Sequence, residues 1–384
     1  MPISVVLPKA DGSTYRRNLN EPASVPSSGQ APEARKAYAA AHVVADPLRA
    51  ASGGCALDWD ATLEVRRRLW RLGLGVAEAM DTAQRGMGLS WEAVKELVAR
   101  TLAAAKSEGG EVVVGVATDQ LPAGPATLED VVAAYQEQLD LVQEHGGQAV
   151  LMASRHLSAC ARGPQDYVEV YSRLLEGCER PVVLHWLGEA FDPQLRGYWG
   201  ARDFDEAQKL VVSLISEHAD RIEGIKISLL DAAREVAIRD SLPPNVRLFT
   251  GDDFNYVDLI EGDANGHSDA LLGAFAAVAP VAAQALRRLD VGDVAGYRAL
   301  LEPTLPLSRK LFEAPTYYYK TGVVWLAYLS GLQDHFRMVG GLESGRSVLH
   351  LVELAEMADD IGLLPDPDLA AERIAGFLRV HGIG

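Results

Sequence analysis

The sequence predicts a (β/α)8 TIM barrel with an irregular N-terminal arm and extra C-terminal helices. From residue 37 to about 290, short Val-, Ile- and Ala-rich runs alternate eight times with helical segments. Such alternation marks parallel strands joined by crossover helices, and eight units close a barrel. No Gly-rich phosphate fingerprint follows the first strand, which counts against an open doubly wound sheet. His, Asp and Lys gather where strands end, the face on which barrel active sites lie.

Residues 1–36 hold Pro, Ser, Gly and Asn in runs such as EPASVPSSGQAPEA. They read as an arm with one short hairpin near SVVLP and STYRR. AYAAAHVVA is then a strand ending near Asp46, and TLEVRRRLWRLG a helix. LGVAEAM is a strand, followed by SWEAVKELVARTLAAAK as a helix with Ser90 at its N-cap. EVVVGVA precedes a helix over 127–145 capped by Thr127. QAVLMAS, PVVLHW, IEGIKIS and VRLFTG are the next strands. DYVEVYSRLLEG, DFDEAQKLVVSLISEHA, a short helix near 230–239 and a helix over Tyr256–Glu261 follow them in turn. ANGHSDA is a weak eighth strand before the long helix LLGAFAAVAPVAAQALRRL. The barrel thus spans 37–290. Residues 291–384 form a helical extension of three or four helices packed on it. In that extension Tyr317, Tyr318, Tyr319 and Lys320 are placed to line a pocket rim, and Trp325 and Tyr328 fit a buried helix face.

Of 384 residues, 48% are hydrophobic and 23% charged, enough for a large core. The net charge of −17 argues against nucleic acid or anionic lipid as partners. No apolar run approaches the ~20 residues of a membrane span, and MPISVVLPKADGS lacks a cleavage pattern. Cys55, Cys160 and Cys178 show no metal spacing, which fits a reduced, cytoplasmic protein.

The strand ends offer His42 and Asp46, Asp81 and Thr82, Thr118 and Asp119, then Ser154, Arg155 and His156. His185, Lys226 with Ser228, Asp252 with Asp253, and His267 with Ser268 and Asp269 complete the set. Lys226 is the sharpest of these. Strand alternation turns Ile225 and Ile227 toward the helices and Gly224, Lys226 and Ser228 into the barrel. A lysine there is pushed toward its neutral form, and a neutral amine attacks a ketone or aldehyde. The structural alternative is a salt-bridged lysine, for instance with Asp252.

With the lysine placed, residues 38–290 resemble the dihydrodipicolinate synthase / N-acetylneuraminate lyase family of class I aldolase-type barrels. Three stretches carry the resemblance: ALDWDATLEVRRRLWRLGLGVAEAMDTAQRGMGLSWEAV, EGIKIS and LFTGDDFNYVDLIEGDANGHSDA. It implies that Lys226 is the Schiff-base lysine and that Thr82 stands at the first threonine of the family's substrate-holding turn. Ala83 replaces the second threonine. The family's tyrosine after strand 4 has no counterpart in Met152-Ala153-Ser154-Arg155-His156, and His185-Trp186 replaces a Tyr-Asn turn. Lysine kept and surroundings rebuilt imply a divergent branch, using imine chemistry on another substrate or in a changed reaction.

The leading expectation is a Schiff-base lyase, aldolase or dehydratase acting on a small oxo acid or sugar-derived carbonyl compound without a cofactor. Lys226, His156 and Thr82 are its catalytic candidates, with His185 a second proton carrier. Asp81, Ser154, Arg155, His185, Ser228, Asp252 and His267 are its substrate-binding candidates. A second reading is a divalent-metal sugar isomerase, epimerase or hydrolase with ligands among His42, Asp46, Asp81, His185, Asp252 and His267. A third is a non-catalytic small-molecule-binding barrel. The resemblance also implies a homodimer or homotetramer.

Overall fold

The computed structural model describes residues 4–24, 29–49 and 56–383. A hairpin of β1 (Ser4–Pro8) and β2 (Thr14–Asn18) comes first. The barrel strands are β3 (Ala37–Ala40), β4 (Gly75–Glu78), β5 (Val112–Val116), β6 (Gln148–Leu151), β7 (Val182–Leu187), β8 (Ile222–Ser228), β9 (Arg247–Thr250) and β10 (Asp269–Leu272). All eight run parallel, and β10 pairs with β3 to close the ring. Between them lie α1 (Trp59–Arg71), α2 (Trp91–Glu108), α3 (Leu128–Glu144), α4 (Arg155–Cys160), α5 (Pro164–Glu176), α6 (Phe204–Glu217), α7 (Ala232–Arg239), α8 (Tyr256–Glu261) and, after β10, α9 (Ala274–Asp290). The chain ends in α10 (Val294–Leu301), α11 (Leu305–Leu311), α12 (Tyr319–Leu329), α13 (Val348–Asp360) and α14 (Pro367–Val380). Five α-helices thus stand where the periodicity predicts three or four.

Local chemistry sets several helix starts. Asp58 caps α1, Ser90 caps α2, and Thr127 with Asp130 forms a reciprocal capping box on α3. Strand residues are buried on both faces, as a parallel sheet under helices requires. Ile225 and Ile227 belong to the apolar layer shared with the helices. Tyr38, Ala77, Met80, Val113, Met152 and Phe249 fill the barrel axis. Glycines make room for the larger of these. A Cβ on Gly224 would stand 2.8 Å from the Phe249 ring, and one on Gly115 2.7 Å from Met152 Sδ.

The arm is more ordered than its composition implies. Tyr15 donates to Glu356 at 2.5 Å, Arg17 pairs with Asp359 at 2.7 Å, and the Asn20 amide donates to Asp359 at 2.8 Å. The first hairpin is therefore fastened to α13. Among the described residues no helix is long and apolar enough to cross a membrane. Cys160 and Cys178 are free thiols, and Cys55 lies outside the described residues.

The eighth strand is shifted from its expected place. ANGHSDA is mostly a turn, with Asp263 accepting from the Asn265 and Gly266 amides. The strand is Asp269–Leu272, so His267 precedes it and lies at the opposite end of the barrel from the other candidates. The first strand also stops early, at Ala40, and His42 follows on irregular chain.

Behind β9, the fully buried Glu235 accepts from Thr250 Oγ1 at 3.0 Å and Ser268 Oγ at 2.8 Å. Burial pushes its carboxyl from 4.5 up to about 8. The folded chain then holds this proton more tightly than the unfolded chain. Its stability contribution is full below pH 4.5 and is lost as pH rises to about 8. Glu235→Gln is expected to remove that loss. Urea unfolding at pH 5 and pH 9 should show the variant gaining on wild type by a few kcal/mol at the higher pH. An equal difference at both pH values would contradict it.

Candidate active site

The C-terminal ends of β4 and β8 build the centre of the site. A buried ion pair holds the first. Arg66 of α1 grips both oxygens of Glu78 at 2.8 Å, and Thr101 of α2 donates to the same carboxylate at 2.6 Å. Arg66 also donates to the His42 and Thr62 carbonyls. Ala79, in the left-handed region at φ 51°, is fixed by its amide to Glu78 at 2.7 Å and its carbonyl to Arg85 at 3.2 Å. Strain of about 1–3 kcal/mol persists only where neighbours over-determine the backbone. The turn that follows carries Asp81, Thr82, Ala83 and Gln84.

Lys226 points into the barrel, in register with His185 on β7 and Phe249 on β9. It is 8% exposed. Among the described residues its amine makes no hydrogen bond and has no carboxylate within 4.0 Å. Burial lowers its pKa, opposed by the charges of Asp253 and Asp81. Asp253, not Asp252, is therefore the β9 carboxylate facing the lysine. Asp252 turns back to accept from Phe254 N, Asn255 N and Asn255 Nδ2 at 2.9–3.1 Å. Asp253 accepts from the Ala274 amide at the start of α9 at 2.8 Å, and burial pushes its carboxyl up to about 7. Asp253 lies in the turn after β9, beyond the reach of strand alternation, so only the tertiary fold brings it to the lysine.

His185 Nε2 meets Ser228 Oγ at 3.1 Å, and its buried Nδ1 has no partner among the described residues. Burial first, then the charge of Lys226, holds this imidazole neutral, well below the usual histidine range. Thr82 Oγ1 is 2.7 Å from Tyr319 Oη at the start of α12. The Tyr319 ring stacks on Phe312 at 4.2 Å, and Gly273 leaves space for both, since a Cβ there would meet them at 2.9–3.0 Å. Burial raises the Tyr319 phenol well above its ordinary value. Tyr319 brings a phenol to a site whose sequence turn offers none.

A cavity of about 510 Å³ opens beside this centre, over the ends of β4 to β7. Asp81, Thr118, Ser154, Arg155, His156 and Asp192 line it. Ser154 and Thr118 share a hydrogen bond of 2.6 Å, and Thr118 reaches His156 Nδ1 at 3.2 Å. Arg155 pairs with Asp192 at 2.5 Å. His156 thus belongs to the cavity wall, whereas His185 is the histidine beside Lys226.

The remaining candidates stand apart. His42 is capped by Gln333 at 2.9 Å and pushed down to about 4, by burial first and then the Arg66 charge. Asp46 serves a surface turn with Leu48 and Arg49. His267 lies in a different, open cavity with Arg239, Asn265 and Arg247. Among the described residues no three His, Cys, Asp or Glu side chains stand close enough to hold one metal ion. The expected ligand set of His42, Asp46, Asp81, His185, Asp252 and His267 is therefore dispersed by the fold, with His267 removed by the strand shift.

Fold and site together define a (β/α)8 barrel with a buried, unpaired lysine at its C-terminal face. The chain belongs to the family described as "Protein of unknown function (DUF993)", whose profile matches residues 5–383. A search of curated proteins finds no match. Among solved structures it is similar to YagE, a prophage protein of the dihydrodipicolinic acid synthase family from E. coli K12 in complex with pyruvate. That match has 14% identity and a TM-score of 0.67, covering 86% of this chain and 99% of that one. It is also similar to the dihydrodipicolinate synthases of Aquifex aeolicus (15%, TM-score 0.64, 86% and 99%) and Thermotoga maritima (15%, 0.64, 86% and 100%). At these identities the likeness is one of fold.

Gly251 is the position on which Lys226 depends most directly. A Cβ there would lie 2.2 Å from Ser228 Oγ and 2.6 Å from Lys226 Cε. Gly251→Ala is expected to cost about 1–3 kcal/mol by overpacking. Gly376→Ala, in α14 with nothing within 4 Å of the new atom, should gain up to about 1 kcal/mol. Urea unfolding of the two variants checks the contrast, and equal effects would contradict it.

Proposed function

We propose that the chain is a Schiff-base-forming lyase, aldolase or dehydratase that acts through Lys226 on a small oxo acid or sugar-derived carbonyl compound. The observation that carries this is the Lys226 amine: buried, shifted toward its neutral form, unpaired and facing a carboxyl of raised pKa.

The neutral amine attacks the carbonyl carbon. The nitrogen gives up a proton as the carbonyl oxygen gains one. The carbinolamine hydroxyl then takes a second proton, from the Asp253 carboxylic acid, and leaves as water while the nitrogen lone pair forms the C=N bond of an iminium. Asp253, at about 7, is matched to both proton moves near neutral pH. The iminium withdraws electrons from the adjoining carbon, so C–C cleavage, C–C formation and loss of a β-hydroxyl share this intermediate. His185 offers its free Nδ1 on the β7 side, and Tyr319 with Thr82 offers a hydroxyl pair on the β4 side. The lysine itself is the covalent group in this chemistry.

Pyruvate, held by one of the similar structures, is the first probe. Borohydride reduction in its presence should fix one adduct on Lys226, read by peptide mass spectrometry and lost in Lys226→Met. Asp253→Asn should slow adduct formation by about 10²–10⁴-fold. A panel of 2-oxo acids, aldehydes and sugar-derived ketones that leaves Lys226 unlabelled in wild type would overturn the reading.

A further inference from the structure

Lys320, in the first turn of α12, is a second buried lysine that the Lys226 chemistry does not use. It is 2% exposed. Among the described residues its amine donates only to Met87 Sδ, at 3.2 Å, and no carboxylate lies within 4.0 Å. A thioether is a weak acceptor. An ammonium so placed lacks the strong hydrogen bonds that buried charges otherwise have. Burial accordingly pulls the Lys320 pKa down to about 8.

The charged groups acting on Lys320 are Asp81, Arg155 and Asp192, and all three line the 510 Å³ cavity. Asp192 is engaged by Arg155. The Asp81 side chain has no hydrogen bond or ion pair among the described residues, although its charge is felt by both Lys226 and Lys320. Lys226 and Lys320 thus both feel the Asp81 charge, and none of the three pairs with another among the described residues. The backbone accounts for this. The Asp81 turn is fixed from below by Arg66, Glu78 and Arg85, while Lys320 arrives on a helix anchored by the Tyr319 contacts.

We propose that Lys320 binds an anionic oxygen group of the ligand, a carboxylate or a phosphate, at the α12 side of the mouth. An anion there gives the ammonium charge-assisted hydrogen bonds in place of a thioether contact. A hydroxyl of the same ligand can donate to Asp81. The site then selects a molecule carrying an acidic group, a hydroxyl and a carbonyl. This rests on the imine reading only for the place of the carbonyl.

The test separates the two readings by using ligands without a ketone or aldehyde, which cannot form an imine. Lactate, lactamide and inorganic phosphate are compared by thermal unfolding of the full chain. Lactate or phosphate, but not neutral lactamide, is expected to raise the midpoint by about 2 °C or more. The rise should persist in Lys226→Met and vanish in Lys320→Met. A rise with phosphate alone identifies a phosphate group, and one with lactate a carboxylate. If neither anion exceeds lactamide in wild type, the Lys320 assignment is wrong, and that comparison does not require the variant to fold. It is equally wrong if the rise survives Lys320→Met or is lost in Lys226→Met. Failure of borohydride labelling at Lys226 would leave this result standing and remove only the imine reading.

Discussion

A closed barrel of eight parallel strands must fill its own axis, and the filling here stops just below Lys226. Phe249, Tyr38, Met80 and Met152 occupy the interior, with Gly224 and Gly115 admitting their bulk. Above that plug the inward residues are Lys226, Ser228, His185 and Gly251, polar or small. The change from apolar filling to polar surface occurs within one strand, between Gly224 and Lys226. An amine at this level is dry enough to lose its proton readily, yet stands at the end of the barrel where the 510 Å³ cavity opens. Neither condition is met a layer lower, where apolar side chains fill the axis, or on the outer loops, where water would restore the ordinary lysine pKa.

The rim is built from both halves of the chain. Arg66–Glu78 and Arg85–Asp119 lock the ends of β4 and β5, with Gln138 bridging Arg85 and Asp119. A fully bonded buried ion pair adds little net stability against an apolar replacement, but it fixes geometry, and losing one partner is costly. On that rigid base the C-terminal region sets four groups: Tyr319 on Thr82, Lys320 near Asp81, Gln333 on His42, and the Val339 backbone on the Gln84 amide. The N-terminal hairpin braces α13, which packs on α12. Both chain ends therefore support the helix that carries Tyr319 and Lys320.

The barrel was legible because strand and helix periodicities are local, and Lys226 because IEGIKIS alternates cleanly. Expectation and structure differ where local pattern and tertiary position part company. ANGHSDA is polar and turn-rich, while the true strand, DALL, is apolar and merges by eye with the helix that follows. The shift of the strand to Asp269–Leu272 leaves His267 at the opposite end of the barrel from the other candidates. The Gly-Asp-Asp turn offers two aspartates beyond the end of β9, where strand alternation no longer applies, and only the tertiary fold distinguishes Asp253 from Asp252. Tyr319 and Lys320 could be suggested for the rim but not placed. The Thr82–Tyr319 contact spans 237 residues, and no periodicity encodes such a meeting.

Charge arrangement separates this mouth from an ordinary network of salt bridges. On the outer wall Arg85 meets Asp119, and Arg155 meets Asp192, so those charges are already compensated. At the centre there are likewise two cations and two carboxyls, Lys226, Lys320, Asp81 and Asp253, yet none pairs directly with another among the described residues. Three of the four have pKa values moved toward neutrality: Lys226 downward, Lys320 to about 8 and Asp253 to about 7. Burial without pairing favours neutral forms, and neutral forms are the ones that exchange protons at little cost near pH 7. Pairing them, as the outer wall does, would stabilise the charges and remove that reactivity. The separation of these four groups is thus the physical basis for reading the centre of the mouth as chemical rather than structural.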